Sequence, residues 1–422
     1  MTEYIYSVAL DEYKCRGCTH CIKRCPTEAI RVKNKKSKII SKRCIDCGEC
    51  IRVCPYRAKR AVYDVLDDEM LKKFKYKIAL PEPALYGQFD NLNDVDYVLE
   101  GLLRCGFDDI FEVSVAAEIL SDYARNNLCK LGLTAPIISS ACPAVTRLIS
   151  VRYPNLVNNI LPLLPPVEIA AKLARFEALK KNPDLKSEDV GIFYISPCPA
   201  KVSYVKNPGC VKKSDVDVTL AISSIYFRLV PEMKEIKMPK PVSRSGVVGI
   251  SWASTGGESS ALFNEKYLSA DGIENVINML DKIENENFAG TEFIELNACN
   301  GGCVGGTLTL ENAFVAKERI QRLKKYLPFS QNTSDKEKEK NLKEYRWETN
   351  IEYNPVMKLH SDKSEAVKMM IEMEKIYEEL PALDCGACGA PSCRAFAEDI
   401  VRGFAAEGGC PIKSKDKSSG NH

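Results

Sequence analysis

No stretch of about 18 apolar residues, the length a membrane helix needs, occurs anywhere in this chain. The opening residues, MTEYIYSVALDEYKC, carry acidic side chains and no continuous apolar segment, so no secretory leader is read there and a cytoplasmic location is expected. An excess of one charge is also missing. Fifty-nine Lys and Arg against 57 Asp and Glu leave a net charge of +2, with neither a basic footprint for nucleic acid nor an acidic tail. Nucleic acid and membrane are therefore not expected partners. What the chain has in quantity is cysteine, nineteen in 422 residues. A disulfide scaffold belongs to short secreted chains, whereas this one is long, 45% hydrophobic and able to bury a large core over two to three domains. Its cysteines are spaced for metal.

Residues 1–76 contain one motif twice, CRGCTHCIKRCP and CIDCGECIRVCP, separated by a strand-like turn region, AIRVKNKKSKIIS. In C-x2-C-x2-C-x3-C-P, three thiolates close on one cluster and the fourth reaches the neighbouring one. Cys15, Cys18, Cys21 and Cys54 are expected to hold one 4Fe-4S cluster, and Cys44, Cys47, Cys50 and Cys25 a second. Zinc modules rarely show two full four-cysteine runs with Pro26 and Pro55 behind them. His20, inside the first motif, is read as a neighbour because the cysteines already saturate the site. Near the other end, Cys385, Cys388, Cys393 and Cys410 form C-x2-C-x4-C-x16-C, with Gly386 and Gly389 letting the backbone approach inorganic sulfide. A further 4Fe-4S cluster is expected there, with zinc the weaker rival.

Between these modules, 77–328 alternates short apolar runs (KIAL, PIISS, GIFYIS, VVGIS, EFIELN), read as strands, with helical stretches such as VEIAAKLARFEALKK, which argues for α/β layers. Residues 329–380 read as a polar linker followed by the amphipathic helix SEAVKMMIEMEKIYEEL, 381–414 as a small cysteine module, and 415–422 as a disordered tail. Three loops of the central region, SSACPA at 139–144, SPCPAK at 196–201 and ELNACNGGC at 295–303, each follow a strand-like run. They bring Cys142, Cys198, Cys299 and Cys303 to strand ends, where open α/β sheets build their sites. Cys105, Cys129 and Cys210 stand outside every motif and are read as packed or ordinary thiols.

At these loops the chain resembles the catalytic domain of the iron-iron (FeFe) hydrogenases, from about Lys77 to Pro328, including GFDDIFEVSVAAEIL, DVDVTL at 215–220 and ASTGG at 253–257. The resemblance implies an α/β two-lobed catalytic domain, preceded by an α+β bacterial two-cluster ferredoxin-like domain and followed by a small C-terminal iron-sulfur domain. It implies an H-cluster, a 4Fe-4S cubane joined to a two-iron azadithiolate unit carrying carbonyl and cyanide, beside three further 4Fe-4S clusters. Cys142, Cys198 and Cys299 would hold the cubane, and Cys303 would both hold it and bridge to the two-iron unit. Lys201 matches the lysine that hydrogen-bonds a cyanide, a buried ammonium beside an anion. Gly301, Gly302, Gly305 and Gly306 would allow a bulky cofactor close to the backbone.

Departures from the family pattern carry as much information. The proton-relaying cysteine of prototypical members is replaced by Ala141, whose methyl group carries no proton. The usual methionines of the other two loops are Ser196 and Asn297, which substitute hydrogen-bonding groups for soft apolar ones. LSDYARNNL at 120–128 lacks the glutamate that continues the usual path. Glu118, Asp122 and Glu258 are candidates for another route, weighed against surface or helix-cap roles. Such replacements look like the sensory groups of the family, here without a fused PAS domain. The expected activity is slow reversible oxidation of H2 to protons and electrons, served by maturation proteins and by a redox partner such as ferredoxin or a signalling protein. The alternatives are a ferredoxin-linked metabolic hydrogenase and a non-catalytic iron-sulfur assembly or electron-transfer relative.

Overall fold

The computed structural model describes residues 6–285, 288, 290–333 and 345–413. The tail expected at 415–422 and most of the polar linker lie outside the described residues. In the N-terminal part the duplication appears as two small antiparallel pairs, Val8–Leu10 with Lys59–Ala61, and the hairpin Ile30–Lys33 with Lys36–Ile39. Asn34 and Lys35 turn the hairpin with φ of 49° and 60°, the two left-handed residues that match the twist of the flanking strands. Each motif carries its third cysteine on a four-residue helix, Cys21 on His20–Lys23 and Cys50 on Glu49–Arg52.

The centre has the expected two-lobed α/β architecture. One sheet is wholly parallel in the order Asp109–Ile110, Tyr76–Pro81, Val190–Ser196, Val218–Ala221. All seven residues of Val190–Ser196 are buried, the continuous apolar run of a parallel strand covered on both faces. A second parallel sheet runs Tyr267–Asp271, Phe293–Asn297, Ile137–Ile138. Val113–Asn127 and Pro166–Lys181 are the long helices packed on the first lobe, sharing a core with Ile78, Leu80, Ile192 and Tyr194. The strand expectation for VVGIS is corrected: Val247–Ser251 is a helical turn. A short apolar run does not distinguish a buried strand from a buried helix. Gly249 decides it, for a Cβ there would stand 2.1 Å from the Ser114 carbonyl oxygen, so this turn lies directly on the Val113–Asn127 helix.

The C-terminal part pairs the helix Lys363–Glu378, capped by the Asp362 carboxylate on the Glu365 N–H, with Cys393–Val401, capped by the Ser392 hydroxyl on the Ala395 N–H. Met373, Phe396 and Leu380 form their shared core with Cys393 and Cys410. Among the described residues no helix is long and apolar enough to cross a membrane.

Candidate active site

Cys142 and Cys198 occupy the same local structure for the same reason. Each follows a parallel strand, has extended backbone as the residue before a helix, and is followed by a proline that begins that helix, Pro143–Arg152 and Pro199–Lys206. Cys299 follows Phe293–Asn297, in the same sheet as the strand before Cys142, whereas the strand before Cys198 belongs to the first sheet, so the two lobes contribute jointly. Cys303 starts a short 3-10 turn held against ASTGG by hydrogen bonds from Thr255 N to Gly301 O (3.2 Å) and from Val304 N to Ala253 O (3.0 Å). Gly302 has φ of 91° and leaves only 2.5 Å between a hypothetical Cβ and the Thr255 nitrogen, so no other residue fits between the loops.

The quartet is assembled. Burial pushes the Cys198 thiol well up, with Cys299, Cys303 and Cys142 each adding to the rise. Burial likewise drives Cys299 to about 11 and Cys303 to about 12, opposed by Arg52 and Lys201 respectively. Cys198, Cys299 and Cys303, desolvated sulfurs that resist one another's ionisation, need a nearby cation to become thiolates, which iron would supply. The donor set therefore fits an iron-sulfur cluster. A tetrahedral zinc site would draw sulfurs to roughly 3.8 Å of one another. Among the described residues, no three His, Cys, Asp or Glu side chains form such a single-ion group.

Lys201, on the first turn after Cys198, places Nζ 3.6 Å from Cys303 Sγ and forms a buried ion pair with Glu82. Glu82 also accepts the Tyr194 hydroxyl at 2.7 Å. Burial alone would discharge the ammonium, but Cys303 and Glu82 more than offset it and hold Lys201 well above its usual range. Sequence reasoning missed Glu82; its one signal is an acid set between Pro81 and Pro83 in an otherwise apolar run. It missed Arg52 too, which lies beside the Cys299 sulfur and donates from Nη2 to Gly305 O at 2.9 Å.

Ser196 directs its hydroxyl to the Cys198 carbonyl at 3.0 Å, shaping its own loop. Asn297 donates to Glu295 at 2.9 Å. Ala141 gives its N–H to Ser139 Oγ at 3.1 Å, and Ser139 Oγ lies 2.5 Å from Glu258 Oε2. A cavity of about 20 Å³ lined by Ala141, Ser140, Ser121, Trp252 and Glu258 adjoins them, room for a single water. Burial, then the neighbouring Glu295, pushes Glu258 up to about 8, so it keeps its proton at neutral pH. Glu295 accepts from Ser259 N, Ser259 Oγ, Gly256 N and Asn297 Nδ2, four donors that place the pair's negative charge on it. Of the other two carboxylates, Glu118 ties down Gly246, Gln331 and Asn332 by accepting their backbone N–H groups. Asp122 lies 4.0 Å from Arg125.

The N-terminal cysteines gather in two groups. Burial raises Cys21 to about 11, with Cys18, Cys15 and Cys54 acting on it; burial raises Cys47 well up, with Cys25, Cys50 and Cys44 acting on it. The fourth cysteine of each motif accepts an equivalent backbone N–H, Cys25 from Ala29 and Cys54 from Ala58, both at 3.2 Å. His20 is exposed. In the C-terminal part burial raises Cys388, with Cys410 and Cys385 adding to it, while Cys393 packs in the same core. Cys129 is exposed, Cys105 is half-buried in the first lobe, and Cys210 is buried with its sulfur 3.0 Å from the Tyr204 hydroxyl.

Comparison with known proteins gives three family matches. Residues 75–263 and 240–307 match the iron only hydrogenase large subunit, C-terminal domain; 7–55 match a 4Fe-4S dicluster domain; 380–412 match an Fe-S cluster family. The chain is 26% identical to the periplasmic Fe hydrogenase large subunit of Nitratidesulfovibrio vulgaris, over 75% of this chain and 89% of that one. It is 22% identical to iron hydrogenase 1 of Clostridium pasteurianum, over 72% of this chain and 66% of that one. A solved structure of a variant of the FeFe-hydrogenase HydA1 from Chlamydomonas reinhardtii aligns with a TM-score of 0.52 at 17% identity, covering 67% of this chain and 95% of that one. At that identity the likeness shows the fold.

Proposed function

The chain belongs to the iron-only hydrogenase large-subunit family, and from that premise we propose that it is a slow, sensory-type FeFe hydrogenase, oxidising H2 reversibly to two protons and two electrons. The observation that carries this reading is Lys201 Nζ at 3.6 Å from Cys303 Sγ, within a buried thiol quartet drawn from both lobes. Cys142, Cys198, Cys299 and Cys303 would hold the H-cluster, which when bound supplies the metal centre where hydrogen is split. Lys201 offers a fixed ammonium to an anionic ligand there, and Glu82 keeps that ammonium charged and aimed. Gly302 and its neighbours bring backbone close without side-chain obstruction. The two N-terminal cysteine groups and the C-terminal group would hold the three further 4Fe-4S clusters.

Slowness follows from Ala141. Ala141 leaves no titratable side chain at the relay position, and the buried acid Glu258 borders it through the Ser139 hydroxyl and a cavity the size of one water. Ser139 and Glu258 hold and hand on a proton over 2.5 Å, but the methyl group of Ala141 cannot carry it further. A sensor tolerates that rate where a metabolic enzyme does not. The chain would need maturation proteins and would pass electrons to a redox partner, a ferredoxin or a signalling protein. We place it in the cytoplasm on its cysteine usage, which cell fractionation tests. The activity test is hydrogen-dependent viologen reduction by matured protein: slow turnover is expected, and turnover at the level of metabolic hydrogenases measured alongside would contradict the sensory reading.

A further inference from the structure

The C-terminal cysteine module is docked on the N-terminal duplication. Arg31 Nε meets Asp399 Oδ2 at 2.6 Å with both side chains 7% exposed, and Arg43 pairs with Glu398 in a second buried contact. Val32 N donates to Gly389 O at 2.8 Å, Lys23 Nζ to Pro391 O at 3.0 Å, and Ser392 Oγ to Glu28 Oε1 at 3.0 Å. Gly386, beside Cys385, lies against Ile22 and Lys23, on the helix that carries Cys21. Gly386 thus sets the Cys385 edge of the module beside the stretch that carries Cys18 and Cys21, while Arg43 and Glu28 tie its other edge near Cys44 and Cys25.

The other end of the duplication faces the quartet. Arg52, next but one to Cys50, reaches Gly305 and the Cys299 sulfur. Arg147, from the helix that begins after Cys142, donates to the Cys44 carbonyl at 2.8 Å. Ile45 shares a core with Ala144 and Ala298, each next or next but one to a quartet cysteine. The two N-terminal groups are locked together because each motif lends its fourth cysteine to the other's group.

We propose that the four cysteine groups form one unbranched electron path, in the order Cys385–Cys410 module, Cys15 group, Cys44 group, catalytic quartet, and that the redox partner meets the chain at the C-terminal module. This rests on the cluster reading above. It removes the C-terminal module as a separate exit from the quartet and makes it the outer terminus. The partner is a one-electron redox protein: each H2 yields two electrons, which cross singly, every centre being reduced as its inner neighbour is oxidised. Cys385 is the one exposed member of the sixteen motif cysteines, and Ala382, Leu383, Asp384 and Ala387 around it are exposed as well. The small Ala382 and Ala387 leave room for a partner's cofactor at the cluster edge, and the exposed Leu383 offers it an apolar contact. The two buried ion pairs fix the docking, since each charge removed from such a pair strands the other without a partner.

The test reads magnetic coupling between clusters by pulsed electron paramagnetic resonance on the full chain, reduced with dithionite so that hydrogen chemistry plays no part. Coupling of the C-terminal cluster is expected to disappear in Cys18→Ala, which removes its inner neighbour, and to persist in Cys142→Ala. The converse pattern would overturn the order. A second variant, Arg31→Ala with Arg43→Ala, leaves every cysteine in place; loss of that coupling at unchanged iron and sulfide content is expected, and retained coupling would overturn the docking. A C-terminal module without a cluster would sink the inference while leaving the hydrogenase reading intact.

Discussion

Glu258 holds its Oε2 atom 2.5 Å from the hydroxyl of Ser139, two residues before the alanine that stands in the relay position. A buried acid beside a missing relay has consequences for both rate and stability.

Replacing Glu258 by Gln is expected to slow viologen-coupled turnover by about a hundredfold, the lower range of general acid–base contributions, and to abolish the ionisation near 8 in the pH–rate profile. An unchanged profile would remove Glu258 from the proton path.

The same substitution changes stability in a set direction. Glu258 has a folded pKa near 8, above its unfolded value, so between about pH 4.3 and 8 the unfolded chain loses a proton that the folded chain keeps. Stability therefore falls as pH rises through that window and levels off above it, by a few kcal/mol in all. In Glu258→Gln this component is absent, and anaerobic denaturant titrations from pH 5 to 8 should show the variant losing less stability than the parent.

Ala141→Cys restores a titratable group at the relay position and is expected to raise turnover by about tenfold or more. If activity does not rise, the slow step lies elsewhere and Ala141 does not explain it.

Glu82 and Lys201 are coupled. Glu82→Gln strands a buried ammonium and is expected to destabilise the protein by about 3–5 kcal/mol, while adding Lys201→Met to it recovers most of the loss. Additive effects in that double-mutant cycle would show that the pair does not act as a unit.

The N-terminal contact to the quartet makes an electrochemical prediction. Arg52→Ala removes a positive charge beside Cys299, so the quartet's cubane should become harder to reduce, its potential moving negative in a spectroscopic redox titration. A positive shift would contradict the assigned contact.

Much of this site is legible in the sequence because its parts are local. Strand, cysteine and proline follow one another directly at Cys142 and Cys198, and Pro143 and Pro199 announce the helices that fix each sulfur. The duplicated motif states its own grouping through spacing. What escapes is what arrives from far along the chain: Glu82 lies 119 positions before the lysine it holds, and Arg52 253 before the carbonyl it binds. Only the folded lobes bring those charges together. VVGIS was ambiguous for a different reason, since full burial erases the periodicity that separates helix from strand.

The central claim is that the quartet and Lys201 hold a working H-cluster. Infrared spectroscopy of anaerobically purified protein, matured with the two-iron cofactor, tests it in the carbonyl and cyanide stretching region with and without hydrogen. Sharp bands that shift under hydrogen, with the cyanide bands moving again in Lys201→Met, are predicted. No bands after confirmed cubane loading and attempted cofactor insertion would contradict the claim and move the chain to the electron-transfer or assembly relatives.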